Sequence, residues 1–143
     1  MISEQEVVAQ FQQGFDCGQI LLAGASEKLG MDLETAYKVA AGFGGGMGLG
    51  QVCGAVVGAI MALGLKYGHH QPDALYQKGQ IMAKTVEFQQ KFLKTFSSTV
   101  CRELLGHDLS LPQEMNIVME KGLLFTFCPK VVSHSVKLLE EIL

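Results

Sequence analysis

Cys17, Cys53, Cys101 and Cys128 are the residues of this 143-residue chain best suited to chemistry. Three uses are open to them. Four thiolates together can hold Zn²⁺, iron or an iron–sulfur cluster. Pairs of thiols can cycle between dithiol and disulfide. Each cysteine can also pack as an inert small hydrophobe. They stand 36, 48 and 27 residues apart with no CxxC pair among them, so only tertiary folding can gather them. A metal centre needs all four to meet, whereas redox cycling needs pairwise proximity alone.

Their surroundings share one feature. Cys17 follows the cap candidate Asp16, Cys101 follows Ser97-Ser98-Thr99, and Cys128 directly precedes Pro129. Cys53 falls in the first turn of the apolar segment after Gly50. Each is predicted at a helix start, where unpaired amides and the helix dipole favour an anion. For Cys53 this predicts a lowered thiol pKa. Helix ends gathered at one end of a bundle would offset the mutual repulsion of four thiolates.

Other side chains are weaker candidates. His69 and His70 read as a solvated connector, and His107 and His134 each lie six residues past a cysteine, off its helix face. Arg102, the only arginine, either stabilises the Cys101 thiolate or faces solvent. Met47, Met61 and Met82 read as core filler.

Six glycines between Gly42 and Gly50 raise the question of a phosphate loop. No frame gives Gly-x-Gly-x-x-Gly, and Gln51-Val52 stand where a P-loop needs Lys-Ser/Thr, so no nucleotide is expected. Gly50, Gly54, Gly58 and Ala62 recur every four residues instead. That spacing predicts a strip without side chains, against which another helix can pack closely.

The elements that must position the cysteines are helical. Three prolines and abundant Ala, Leu, Gln, Glu, Lys and Met favour helix over sheet. Ser3–Glu6 and Asp16–Gln19 are capping boxes, Ser110–Gln113 is box-like, and Asp32 is a further cap. Gly30, Gly68, Gly106 and Gly122 are predicted stops. Pro72 is predicted to start a helix in which Leu75, Gly79, Met82, Val86, Leu93 and Phe96 form a core-facing seam. The segment from Leu123 to Phe127 has no assigned state. The fold class is all-α: one domain over residues 1–143, a compact bundle of about five to seven helices, with the glycine-rich loop before a buried central helix.

With these residues in place, the chain resembles a known family. CGAVVG at Cys53–Gly58 is CGAxxG, preceded by Phe43-Gly44-Gly45-Gly46-Met47-Gly48. Cys17 lies upstream, with Cys101 in CRELLG and Cys128 in CPK downstream. Together they resemble the C_GCAxxG_C_C family from about Phe15 to the C-terminus. The resemblance implies a small protein with four redox-active cysteines, often encoded near transporter genes, with no established substrate. Some relatives carry haem-binding segments; this chain has no Cys-x-x-Cys-His, so no covalent haem is expected.

Composition narrows the function classes. A net charge of −3 without a basic cluster argues against nucleic acid. The longest apolar run, Val52–Leu65, has 14 residues where a membrane span needs about 20. The polar start MISEQEVVAQ has no signal-peptide pattern, which points to the reducing cytoplasm. The leading expectation is one redox site made by Cys17, Cys53, Cys101 and Cys128, as dithiol/disulfide pairs or as ligands of Zn, Fe or an iron–sulfur centre. It would serve an unidentified redox partner, with a homo-oligomer left open. The alternative is a non-catalytic helical accessory protein, associated with a transporter, whose cysteines are structural.

Overall fold

The computed structural model describes residues 2–143. Among them are nine α-helices and no strand longer than a single bridge. They are α1 (Glu4–Gln12), α2 (Cys17–Ser26), α3 (Leu33–Ala40), α4 (Gly54–Tyr67), α5 (Leu75–Thr95), α6 (Cys101–Leu105), α7 (Pro112–Lys121), α8 (Leu123–Thr126) and α9 (Cys128–Ile142). The all-α expectation holds. The count exceeds five to seven because α6 and α8 are one-turn pieces and α8 fills the unassigned segment.

Local chemistry accounts for several of the starts. Ser3 and Glu6 cap α1 reciprocally, Asp16 and Gln19 do the same for α2, and Asp32 accepts from the Thr35 amide at α3. The box-like start of α7 does not form. Its cap position is Leu111, and Ser110 is engaged instead in a turn with the Asp108 carboxylate. Pro72 does not open α5 either. Asp73 adopts φ 59°, and the helix begins two residues later, at Leu75.

The core forms where α2, α4, α5 and α9 meet. Ile20, Leu21, Leu22, Val56, Leu63, Phe88, Phe92 and Val132 are almost wholly buried there. Full burial of such a side chain stabilises by about 1.5–3 kcal/mol. On α5 the observed core face differs from the expected seam. Phe88 and Phe92 point inward with Ile81 behind them, while Leu75 (81 % exposed), Met82, Val86 and Leu93 face out. The helix carries two apolar stripes, and the one with the larger aromatic area is buried. Phe96, also expected in the seam, does join the aromatic cluster through Phe92, Phe127 and His134. Met47 and Met82 are exposed rather than core filler.

Contact between α2 and α4 positions the cysteines. A methyl group at Gly54 would stand 2.5 Å from Cys17 Sγ, 2.9 Å from the Phe43 carbonyl oxygen and 3.1 Å from the Gly18 nitrogen. One at Gly58 would stand 2.9 Å from the Gly18 carbonyl oxygen and 3.2 Å from Leu21. Backbone therefore lies directly on backbone, as the glycine strip predicted for these two positions. Gly50 is the exception. It lies before α4 at φ 66° and packs on Arg102 and Asp108 around α6.

Gly54→Ala should destabilise the fold by about 1–3 kcal/mol through overpacking, despite alanine's advantage of about 1 kcal/mol in helix propensity. Gly64→Ala lies on the same helix, with nothing within 4 Å of the added methyl. It should stabilise by up to about 1 kcal/mol. Urea unfolding of both variants checks this; equal effects would contradict a close α2–α4 contact.

Candidate redox site

All four cysteines occupy the predicted helix starts. Cys17, Cys101 and Cys128 are the first residues of α2, α6 and α9, and Cys53 is the cap residue of α4. All are free thiols that line one cavity of about 340 Å³. Cys53 and Cys101 are buried, and Cys17 and Cys128 partly so.

Two devices gather them. The first is the α2–α4 contact, which presses Cys17 against Gly54 and brings its thiol to the same cavity wall as that of Cys53. The second is a minimal antiparallel bridge between Val52 and Val100. In it the Cys53 amide donates to the Thr99 carbonyl at 2.7 Å, and the Cys101 amide donates to that of Gln51 at 2.6 Å. Residues 51–53 are therefore extended rather than the first turn of α4. The bridge ties the start of α4 to the start of α6 across 48 residues of sequence.

The glycine segment supplies the path into this bridge. Gly45, Gly46, Met47, Gly48 and Gly50 all have φ between 59° and 73°. Side chains disfavour this left-handed region, which explains the glycine density. Gly44 has a second function. A methyl there would collide with the Asp16 carboxylate, which the Gly44 amide helps to bind. Asp16 thus caps α2 and anchors the loop beside Cys17. Its carboxyl pKa is raised, chiefly by burial, against hydrogen bonds from the Gln19, Gly18 and Gly44 amides. The capping box disclosed Asp16 as a helix cap, but no sequence signal disclosed its contact with the loop.

The thiols are not equivalent. Cys53 is held below the ordinary thiol range, first by the hydrogen bond from Cys17, against its burial, with help from the Ala55 and Val56 amides. Its sulfur does not make the short cap bond of an oxygen, yet those two amides still favour its anion. Cys17 is pushed well above the ordinary range, first as the donor in that hydrogen bond and then by burial. Burial, followed by the charge of Cys53, raises Cys101 to about 11 and Cys128 to about 12.

Activation by the helix start therefore operates at Cys53 alone, and the expectation of four stabilised thiolates is corrected. A residue in the cap position can turn its side chain back toward the free amides of its helix. Cys17, Cys101 and Cys128, one position later, are governed by burial and by the Cys53 anion. At Cys101 one amide is also already used, because its own N–H binds the Gln51 carbonyl.

The remaining candidates fall outside the cavity wall, which includes none of the four histidines. His134 stands edge-on to Phe96, and His107 Nδ1 lies 3.7 Å from the Glu114 carboxylate. Arg102 is exposed and reaches the Gly50 carbonyl at 3.5 Å, fastening the loop rather than a thiolate. Among the described residues, no three Cys, His, Asp or Glu side chains are grouped so that they could hold a metal ion. No helix of the described residues is long and apolar enough to cross a membrane.

The described residues thus form an all-α protein with all four cysteines on the wall of one cavity. The chain belongs to the C_GCAxxG_C_C family, whose model, described as "Putative redox-active protein (C_GCAxxG_C_C)", matches residues 15–142. No curated protein and no solved structure matches significantly.

The rate of alkylation by iodoacetamide, resolved by residue, should inflect for Cys53 at a lower pH than for a free thiol. The reason is that only the thiolate reacts and its anion is stabilised. Cys17→Ala removes the largest of those stabilising influences and leaves burial, so the inflection should move to higher pH. An unchanged profile in Cys17→Ala would show that the two thiols do not interact.

Proposed function

We propose that the protein is a dithiol/disulfide redox protein in which Cys53 is the attacking thiolate and Cys17 the resolving thiol. The observation that carries this reading is the placement of Cys17 Sγ against Gly54, the residue that follows Cys53, with both thiols on the wall of one cavity and with pKa values shifted in opposite directions. A reactive thiolate beside a protonated partner is what thiol–disulfide exchange requires.

The reaction balances with an external disulfide as oxidant. The Cys53 thiolate attacks one sulfur of RS–SR, forming a mixed disulfide and releasing RS⁻, which takes up from solvent the proton that Cys53 gave up on ionising. Cys17 then loses its proton and attacks Cys53 Sγ, releasing the second RS⁻, which the proton neutralises. Two protein thiols become one disulfide, and RS–SR becomes two RSH.

Cys101 and Cys128 belong to the same site as the slower pair. The negative charge on Cys53 is one of the influences that keep them protonated. Oxidation of Cys53 abolishes that charge, so both become easier to ionise once the first disulfide has formed. The cysteines then act in sequence within one helical domain, in exchange with a thiol partner in a reducing compartment.

Thiol titration with and without prior reduction, combined with metal analysis of anaerobically purified protein, tests the reading. The expected result is a thiol count that falls by two on mild oxidation and recovers on reduction, without stoichiometric metal. Iron or zinc bound at one equivalent and lost on replacing the cysteines would overturn the dithiol reading in favour of a metal centre. A constant count of four would favour the structural accessory protein.

A further inference from the structure

The cavity that holds the thiols has a defined chemical character. Its wall is built mainly from Phe11, Phe15, Leu105, Leu109, Leu124 and Phe127, with further apolar side chains between them. Apart from the cysteines, its only ionisable residue among the described residues is Asp16, and no Lys, Arg or His among them lines it. Its volume of about 340 Å³ is near the lower end of small-molecule sites, which run from about 300 to 1,000 Å³. Cys53, the thiolate of the pair, is 8 % exposed, so its partner must reach it through this cavity rather than across an open surface.

We propose that the cavity over Cys17 and Cys53 selects small, uncharged, apolar disulfides as the oxidants of the pair. This inference rests on the dithiol reading and adds the class of substrate. Moving an ionised group into an apolar site costs several kcal/mol unless a partner of opposite charge receives it. An anionic disulfide finds no cation in the wall, and it meets a carboxyl at Asp16 and the charge of Cys53 itself. A cationic disulfide has the Cys53 thiolate, whose charge leaves with RS⁻ as the sulfur attacks, and Asp16, whose carboxylate already accepts hydrogen bonds from the Gln19, Gly18 and Gly44 amides. Apolar substituents instead replace water against the Phe and Leu side chains, which is favourable in proportion to the area covered.

The test uses four disulfides of similar size: diethyl disulfide, hydroxyethyl disulfide, cystamine (a dication) and dithiodiglycolate (a dianion). Each oxidises the reduced full-length protein, and each rate is divided by its rate with dithiothreitol at the same pH to remove intrinsic reactivity. Diethyl disulfide should lead, hydroxyethyl disulfide should follow, and both charged probes should trail by about tenfold or more. Leu109→Lys places a cation in the cavity wall beside Gly45 and should raise the relative rate of dithiodiglycolate specifically. Charged probes reacting as fast as diethyl disulfide, or an anion preference in the unsubstituted protein, would overturn the selectivity while leaving the dithiol reading intact. Failure of every probe, and of diamide, to oxidise Cys17 and Cys53 would overturn both.

Discussion

The packing of α2 on α4 is the constraint on which the rest of the site depends. Gly18, Gly54 and Gly58 let two helix backbones lie in van der Waals contact, so the first residue of one helix and the cap residue of the other share a small volume. Cys17 occupies the first of those positions and Cys53 the second. A side chain at Gly54 would occupy the space that the Cys17 sulfur fills. Packing and chemistry are therefore not separable here. The absence of a side chain at residue 54 is what allows a thiol to meet its neighbour.

Electrostatics then differentiate the four cysteines. Burial alone would raise every thiol pKa, and at Cys101 and Cys128 it prevails. At Cys53 the hydrogen bond from Cys17 and the amides of Ala55 and Val56 outweigh it. Favouring the anion at one thiol and the protonated form at the other three avoids the repulsion that four gathered anions would suffer. An uncharged partner thiol can then donate its hydrogen to the anion, which is the arrangement from which a disulfide forms with the least movement of charge. The apolar wall strengthens each of these interactions by excluding water.

Local signals in the sequence were legible in proportion to how local their physics is. Two of three proposed capping boxes form, the glycine stops at Gly30, Gly106 and Gly122 hold, and every cysteine is at a helix start. Gly54 and Gly58 pack as their four-residue spacing implied, because steric contact on one face follows directly from helix geometry. The inward face of α5 was misread, since a 4-3 rhythm and a Phe stripe coexist there and periodicity does not decide between them. The Val52–Val100 bridge was invisible: one non-local pair leaves no periodic pattern, yet it brings Cys53 beside Cys101. Helix starts were expected to favour the anion at each of the four cysteines. That expectation fails at Cys17, Cys101 and Cys128 because interaction with Cys53 and burial outweigh the helix ends there.

The most direct measurement is peptide mapping of the first disulfide formed when the reduced protein is oxidised by a single limiting equivalent of diamide. Five other pairings compete with Cys17–Cys53 to supply those two electrons if any thiolate in the cavity can attack any neighbour. The account predicts that the Cys17–Cys53 crosslink dominates, with Cys101 and Cys128 recovered as free thiols. A first crosslink between Cys101 and Cys128, or an even mixture of pairings, would contradict it.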